Sequence, residues 1–227
     1  MAIASFEGFL FSLRWFHFLS GVAWIGLLYY FNFVQGSFFA EADANTKSVC
    51  TQKLVPRALW WFRWAAMITF LTGLTIYAIE APRTGMNTVW GLLITIGVIL
   101  GTLMWFNVWF VIWPNQKIVI KSAVQAATGG QAIPDAAARA GRALVASRTN
   151  VLFSIPMLFF MGAARHLPMQ KFEVALFPTL WIVFAIVGLL EINALKGKTG
   201  PMATINGVIT SGFALAALLY LVVEFVA

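Results

Sequence analysis

The chain has 227 residues, of which 61% are hydrophobic and only 10% are charged, with a formal net charge of +7. So few polar residues cannot cover a water-exposed surface, which excludes an ordinary soluble domain, and the apolar stretches are too long for the roughly ten-residue strands of a membrane barrel. The composition therefore predicts an all-α, polytopic membrane helical bundle in a lipid bilayer. The positive charge is expected to mark cytoplasmic loops and not a nucleic-acid interface.

Six apolar stretches are long enough to cross a bilayer, which requires about 20 residues at about 1.5 Å per residue. We predict spans at about residues 9–34, 58–79, 90–113, 144–164, 174–195 and 203–226 of a single transmembrane domain, 1–227. A polar loop is expected from Glu41 to Pro56, and Pro114 is expected to end the third span. The polar residues 114–143 predict two short, basic helical pieces on the cytoplasmic surface.

Lysine and arginine are distributed unevenly between the two ends of these spans. One end has eleven of them: Lys47, Lys53, Arg57, Arg63, Lys117, Lys121, Arg139, Arg142, Arg148, Lys196 and Lys198. The other has four: Arg14, Arg83, Arg165 and Lys171. Because cytoplasmic loops are rich in Lys and Arg, the first end is predicted to be cytoplasmic. Both termini then lie on the periplasmic side of a bacterial inner membrane.

One face of the first span carries residues of unusual chemistry for a membrane helix. Arg14, His17, Gly21 and Trp24 follow helical spacing and so point the same way. Polar groups at membrane depth are costly and usually face the protein interior or a site. This face is therefore the first place where we look for function.

The two histidines of the chain both fall on the predicted outer side. His17 and His166 each have a glycine one turn deeper in the membrane, Gly21 and Gly162, where a missing side chain leaves room for a flat ring. Two neutral imidazoles can be the axial ligands of a b-type haem, with iron as the only metal expected; a quinone is the other candidate. Arg14 would then reach outward to a propionate or a headgroup phosphate. Alternatively, His17 hydrogen-bonds within the bundle and His166 lies at the headgroups, because their depths differ by about 10 Å.

Polar residues from five spans are predicted to meet in the cytoplasmic half of the bundle. They are Asn32, Arg63, Asn107, Asn150, Glu191 and Asn193. In one interpretation they form a substrate pocket or a proton path, with the guanidinium of Arg63 binding a planar anion. In the other they form a structural clasp in which Arg63 and Glu191 pair.

Three stretches resemble, in order and spacing, the membrane domain of the cytochrome-linked bacterial urate oxidase (urate hydroxylase) family. They are Arg14-Trp15-Phe16-His17 through Gly26, Gly101-Thr102-Leu103-Met104 through Pro114, and Asn150 through Pro156 to His166. The resemblance implies urate oxidation, with electrons passed to a c-type cytochrome domain that follows the membrane domain. This chain contains no CxxCH motif and has Thr149 where the family pattern has a further histidine. We therefore expect the cytochrome to be a separate protein.

The sequence is compatible with two functions, and only the first of them would make the chain part of an enzyme. In the first, it is a membrane redox protein that holds a haem or quinone near the periplasm and transfers electrons to a separate cytochrome c. In the second, it is a non-catalytic accessory or structural subunit packed against a larger membrane complex, respiratory or otherwise energy-converting. The histidine placement and the family likeness favour the first, whereas the lack of a cofactor motif favours the second.

Overall fold

The computed structural model describes residues 2–169 and 174–227, and within these ranges it contains six long helices and no strand. The helices are α1 Phe6–Glu41, α2 Ala44–Thr84, α3 Val89–Ala127, α4 Ala136–His166, α5 Leu176–Lys196 and α6 Ile205–Val226. All six are long and apolar enough to cross a membrane, which confirms the predicted all-α membrane bundle. Lys171, counted above for the outer side, lies outside the described residues.

The first three helices extend well past the predicted spans. They contain 36, 41 and 39 residues, which corresponds to about 54–62 Å at about 1.5 Å per residue, whereas the hydrocarbon core is about 30 Å thick. Helix α2 begins at Ala44, so the polar loop predicted from Glu41 to Pro56 is wrong. Residues 114–143 do form two helical pieces with a break at 128–135, but these pieces are the end of α3 and the start of α4, so their predicted separation from the membrane spans is wrong.

Pro114 does not end α3, because the turn before it is wider than an α-turn. Residues Asn107–Ile112 are π-helical, and the N–H of Trp113 donates to Val108 O, five residues back. The wider turn gives the proline ring room that an α-turn would deny it. A second π-helical turn, Tyr30–Gln35, lies in α1.

Four helices begin at residues whose side chains cap the first turn. Ser5, Thr88 and Thr204 each accept a hydrogen bond from the N–H three residues further on. Asp43 accepts hydrogen bonds from two backbone N–H groups at the start of α2 and from the Thr46 hydroxyl. These bonds lower the pKa of Asp43, and the one from the Thr46 hydroxyl has the largest effect. These caps fix the residues at which the four helices begin.

Helix α4 is the most buried helix and packs chiefly against α3 and α6, while α1 packs along α2. Its fully buried side chains include Phe153 and Phe160, which meet Phe62 of α2 and the α3 side chains in one core. The connections after α1, α3 and α5 lie at one end of the bundle, which we call the basic end because most Lys and Arg are there. Any site in the bundle interior is therefore built around α4.

Candidate functional site

The face of α1 that carries Arg14 and Trp24 packs against α2 and does not line an open site. Arg14 Nη2 lies 3.0 Å from Glu80 Oε2, and Arg83 lies 3.1 Å from both Glu80 and Glu7. Trp24 is only 2% exposed. Arg14 thus forms an ion pair with α2, contrary to the expectation that it would reach outward to a propionate or headgroup.

His17 is also held by α2. Its Nδ1 lies 2.9 Å from Thr69 O and 3.2 Å from Thr72 Oγ1, whose own hydrogen is donated to Ile68 O. Because both partners act as acceptors, Nδ1 carries the hydrogen and Nε2 has the free lone pair in the neutral ring. A Cβ at Gly73 would come within 2.7 Å of His17 Cε1, so Gly73 is the glycine that makes room for this ring.

The other three residues of the predicted outer site are Gly21, Gly162 and His166, and they do not form a pocket around His17. A Cβ at Gly21 would lie 3.8 Å from Thr69 Cγ2, which is ordinary contact and leaves no gap for a flat ring. His166 is exposed at the end of α4, and no atom of the described residues lies within 4 Å of where a Cβ on Gly162 would be. Nε2 of His17 is therefore the ring nitrogen that could bind an iron, whereas His166 and Gly162 lie at the exposed end of α4. His17 does hydrogen-bond within the bundle, as the alternative expected.

Three of the predicted inner residues meet in the bundle core. Asn107 Nδ2 donates to Asn150 Oδ1 and to Glu191 Oε2, both at 3.0 Å, and Asn150 Nδ2 donates to Met104 O at 2.9 Å. Asn107 and Asn150 are 0% exposed and Glu191 is 7% exposed. We call Asn107, Asn150 and Glu191 the amide–carboxylate cluster; it joins α3, α4 and α5.

This cluster has two hydrogen-bond acceptors without a donor. The two amide hydrogens of Asn107 are both donated, to Asn150 and to Glu191. Among the described residues, neither Asn107 Oδ1 nor Glu191 Oε1 has a hydrogen-bond partner. Among the described residues, no Lys, Arg or His forms an ion pair with Glu191. Buried polar atoms without partners cost stability, and in native proteins they often mark a place for water, a proton or a ligand.

Arg63 does not belong to this cluster, and the predicted Arg63–Glu191 pair is wrong. The guanidinium carbon lies 3.4 Å from the Trp113 ring centroid and 5.6 Å from that of Trp109, and Nε donates to Leu59 O. The indole faces supply the electrostatic attraction that a carboxylate was expected to supply. Asn193 also lies elsewhere, because its Nδ2 donates to Lys198 O in the connection after α5.

Asn32 lines a separate inner cavity of about 200 Å³ near the basic end, between α1, α2, α3 and α4. Its Nδ2 donates to Leu28 O and to Ser147 Oγ, both at 2.8 Å, so only its Oδ1 remains free. Gln35 Oε1 is buried without a partner among the described residues. Both π-helical turns contribute to the cavity wall, and such turns are frequent at functional sites.

Several polar residues of the interior were missed at the sequence level. Arg148 was counted only as a cytoplasmic charge, but it is 9% exposed, and its Nε and Nη1 have no partner in the described ranges. Gln35 and Ser147 were not considered for the inner site. All three residues lie within or next to predicted spans, and a polar residue at that position usually faces the protein interior or a site.

The bundle and its buried polar core define a multi-pass α-helical membrane protein with a polar cluster in its interior. The chain belongs to the urate oxidase N-terminal family, which it matches over residues 84–222. The match includes α3 to α6 and all of the amide–carboxylate cluster, and it excludes Arg14, His17 and nearly all of α2. No curated protein and no solved structure matches the chain.

Proposed function

We propose that the chain is the membrane-embedded component of a redox system that oxidises urate or a closely related purine. Electrons leave to a separate periplasmic cytochrome c, and the host membrane is the bacterial inner membrane. The observation that carries the proposal is that the matched residues 84–222 contain the whole amide–carboxylate cluster. Its two free acceptor oxygens suit a reaction that withdraws protons together with electrons.

The outer side has one residue suited to a redox group. Hydrogen bonding of Nδ1 to a backbone carbonyl is the arrangement that orients metal-binding imidazoles, and it leaves Nε2 of the half-exposed His17 available. Through this nitrogen His17 would bind a haem iron or accept a hydrogen bond from the hydroxyl of a reduced quinone. Such a group, when bound, supplies one-electron transfer towards the cytochrome.

The test uses the purified full chain in lipid nanodiscs. We expect a reducible Soret band or an extractable quinone, together with urate-dependent reduction of added cytochrome c. His17→Ala should remove the cofactor signal, while His166→Ala should leave it unchanged. A wild-type protein without any redox cofactor and without urate-dependent reduction would refute the proposal.

The second candidate is an accessory subunit of a larger membrane complex. The observation in its favour is that Arg14 and His17 are engaged by α2, while the adjacent face of α1 exposes aromatic side chains that include Phe11, Trp15 and Phe18. Under this alternative the purified chain has no redox spectrum, and native electrophoresis of mild detergent extracts shows it in a larger complex. Trp15→Ala with Phe18→Ala should then release it from that complex.

A further inference from the structure

We propose that the inner cavity is the binding site for the purine substrate, taken up as a planar anion from the basic end. This inference rests on the proposed function and specifies where its substrate binds. The cavity is lined by residues of four helices: Phe31, Asn32, Gln35, Gly36, Val55, Leu59, Phe62, Ile112, Gln116, Ala140, Ala143, Leu144 and Ser147. It is distinct from the amide–carboxylate cluster, whose three residues are absent from this lining.

The size of the cavity selects a small ligand. Its volume is about 200 Å³, and a cavity of roughly 150 Å³ is known to accept benzene. A bicyclic ring with few substituents therefore fits, whereas haem does not. The lining also includes the rings of Phe31 and Phe62, which meet edge-to-face at 5.5 Å and present flat apolar surface to a planar ligand.

The polar atoms of the cavity select a ligand that donates hydrogen bonds from one edge. Asn32 presents only Oδ1, because both of its amide hydrogens are used, and Gln35 Oε1 is buried without a partner. Both acceptors belong to the π-helical turn Tyr30–Gln35 of α1. Ser147 accepts from Asn32, so its own hydrogen is available to a ring carbonyl. Ring N–H groups next to carbonyl groups are the hydrogen-bonding pattern of oxidised purines.

Charge at the basic end favours an anion. No carboxylate lines the cavity, which argues against a cation as its occupant. Lys117 of α3 and Arg57 of α2 are exposed at the same end of the bundle, where they add to the positive charge around the cavity without lining it. Arg139 is paired with Asp135 and contributes less. The excess of Lys and Arg at this end raises the local concentration of anions at the entrance.

The experiment measures urate binding by isothermal titration calorimetry with the full chain in nanodiscs. Ala140→Leu fills the cavity and should weaken binding at least tenfold, whereas the matched control Ala138→Leu places the same side chain on the exposed face of α4 and should not. Gln35→Leu removes one acceptor and should weaken binding by roughly tenfold, in line with about 1–2 kcal/mol for a buried hydrogen bond. Because Gln35 is only half-buried, this variant is expected to fold even if Ala140→Leu does not.

The outcomes separate the site from the function. Urate binding that Ala140→Leu and Gln35→Leu weaken, without cytochrome reduction, supports the cavity and refutes the redox proposal. Cytochrome reduction with a KM for urate that both variants leave unchanged supports the function and overturns the cavity as its site. No urate binding by the wild-type chain, or equal binding by all variants, also overturns the inference.

Discussion

At the residue scale, the amide–carboxylate cluster is unusual because its donors and acceptors do not balance. One amide group, that of Asn107, supplies hydrogens to both Asn150 and Glu191, which leaves Asn107 Oδ1 and Glu191 Oε1 without donors in the described structure. In a low-dielectric interior such atoms are costly, so they persist where another group or function compensates for them.

This imbalance makes a prediction for position 191. Glu191→Gln keeps an oxygen that accepts from Asn107 and adds an amide donor to a cluster in which two acceptors have no donor among the described residues, so its stability should equal or exceed that of the wild type. Glu191→Ala removes the acceptor and should lower the free energy of unfolding by about 1–3 kcal/mol. Thermal unfolding in detergent compares the two. Equal destabilisation by Gln and Ala would contradict the predicted role of the missing donor.

Arg63 gives a second prediction at this scale. Its guanidinium lies 3.4 Å from the Trp113 ring centroid, whereas Lys117 Nζ lies 5.6 Å from the same centroid. A double-mutant cycle of Arg63→Ala with Trp113→Ala should give a coupling energy of about 0.5–2 kcal/mol, as cation–π contacts do when partly desolvated. The control cycle of Lys117→Ala with Trp113→Ala should give less. A coupling of zero for Arg63 would show that helix α2 positions this side chain without gaining energy from the indole.

At the element scale, the sequence predicted the number and type of helices but not their lengths. Hydropathy reports which residues suit lipid, and a capped helix continues into water, as the start of α2 at Ala44 does. The continuation of α3 past Pro114 depends on a π-helical turn, for which the sequence has no clear signature. The contact between Asn107, Asn150 and Glu191 was predicted, because polar side chains in a membrane bundle hydrogen-bond across helices. The contact of Arg63 with Trp113 was not predicted, because the spacing of residues along one helix does not show which side chain of another helix faces them.

The contact between α1 and α2 can be tested through one glycine. A Cβ at Gly73 would lie 2.7 Å from His17 Cε1, so Gly73→Ala must displace the ring and weaken its hydrogen bond to Thr69 O. We expect a loss of about 1–3 kcal/mol from overpacking, partly offset by about 1 kcal/mol of helix propensity. Gly101→Ala, where nothing lies within 4 Å, is the matched control and should be neutral or stabilising.

The contact between Gly73 and His17 can also be tested by measuring the stability cost of His17→Ala in two backgrounds. In the Gly73→Ala background, His17→Ala should cost less stability than in the wild type, because it removes the displaced ring. Measured by thermal unfolding, equal costs in the two backgrounds would show that the imidazole does not fill the space above Gly73.

At the scale of the whole molecule, the orientation in the membrane rests on the distribution of charge. The basic end carries most of the fifteen Lys and Arg residues and includes the connection between α3 and α4. Each of these charges resists translocation when it lies in a short connection near a span, so the effects of several charges add. The inner cavity is lined by residues near the same end, so the orientation also determines which compartment lies nearer to the proposed substrate site.

Cysteine labelling tests this orientation directly. In a Cys50→Ser background, a cysteine at the exposed Ala126, near the end of α3, should react with a membrane-impermeant maleimide only after the cells are opened. A cysteine at the exposed Asn87, between α2 and α3 at the opposite end of the bundle, is the control and should react in intact cells. The same two positions report the route of substrate entry, because urate bound in the inner cavity would then come from the cytoplasm while electrons leave to the periplasm. Labelling of the Ala126 position, but not the Asn87 position, in intact cells would invert the topology and place the cavity entrance in the periplasm.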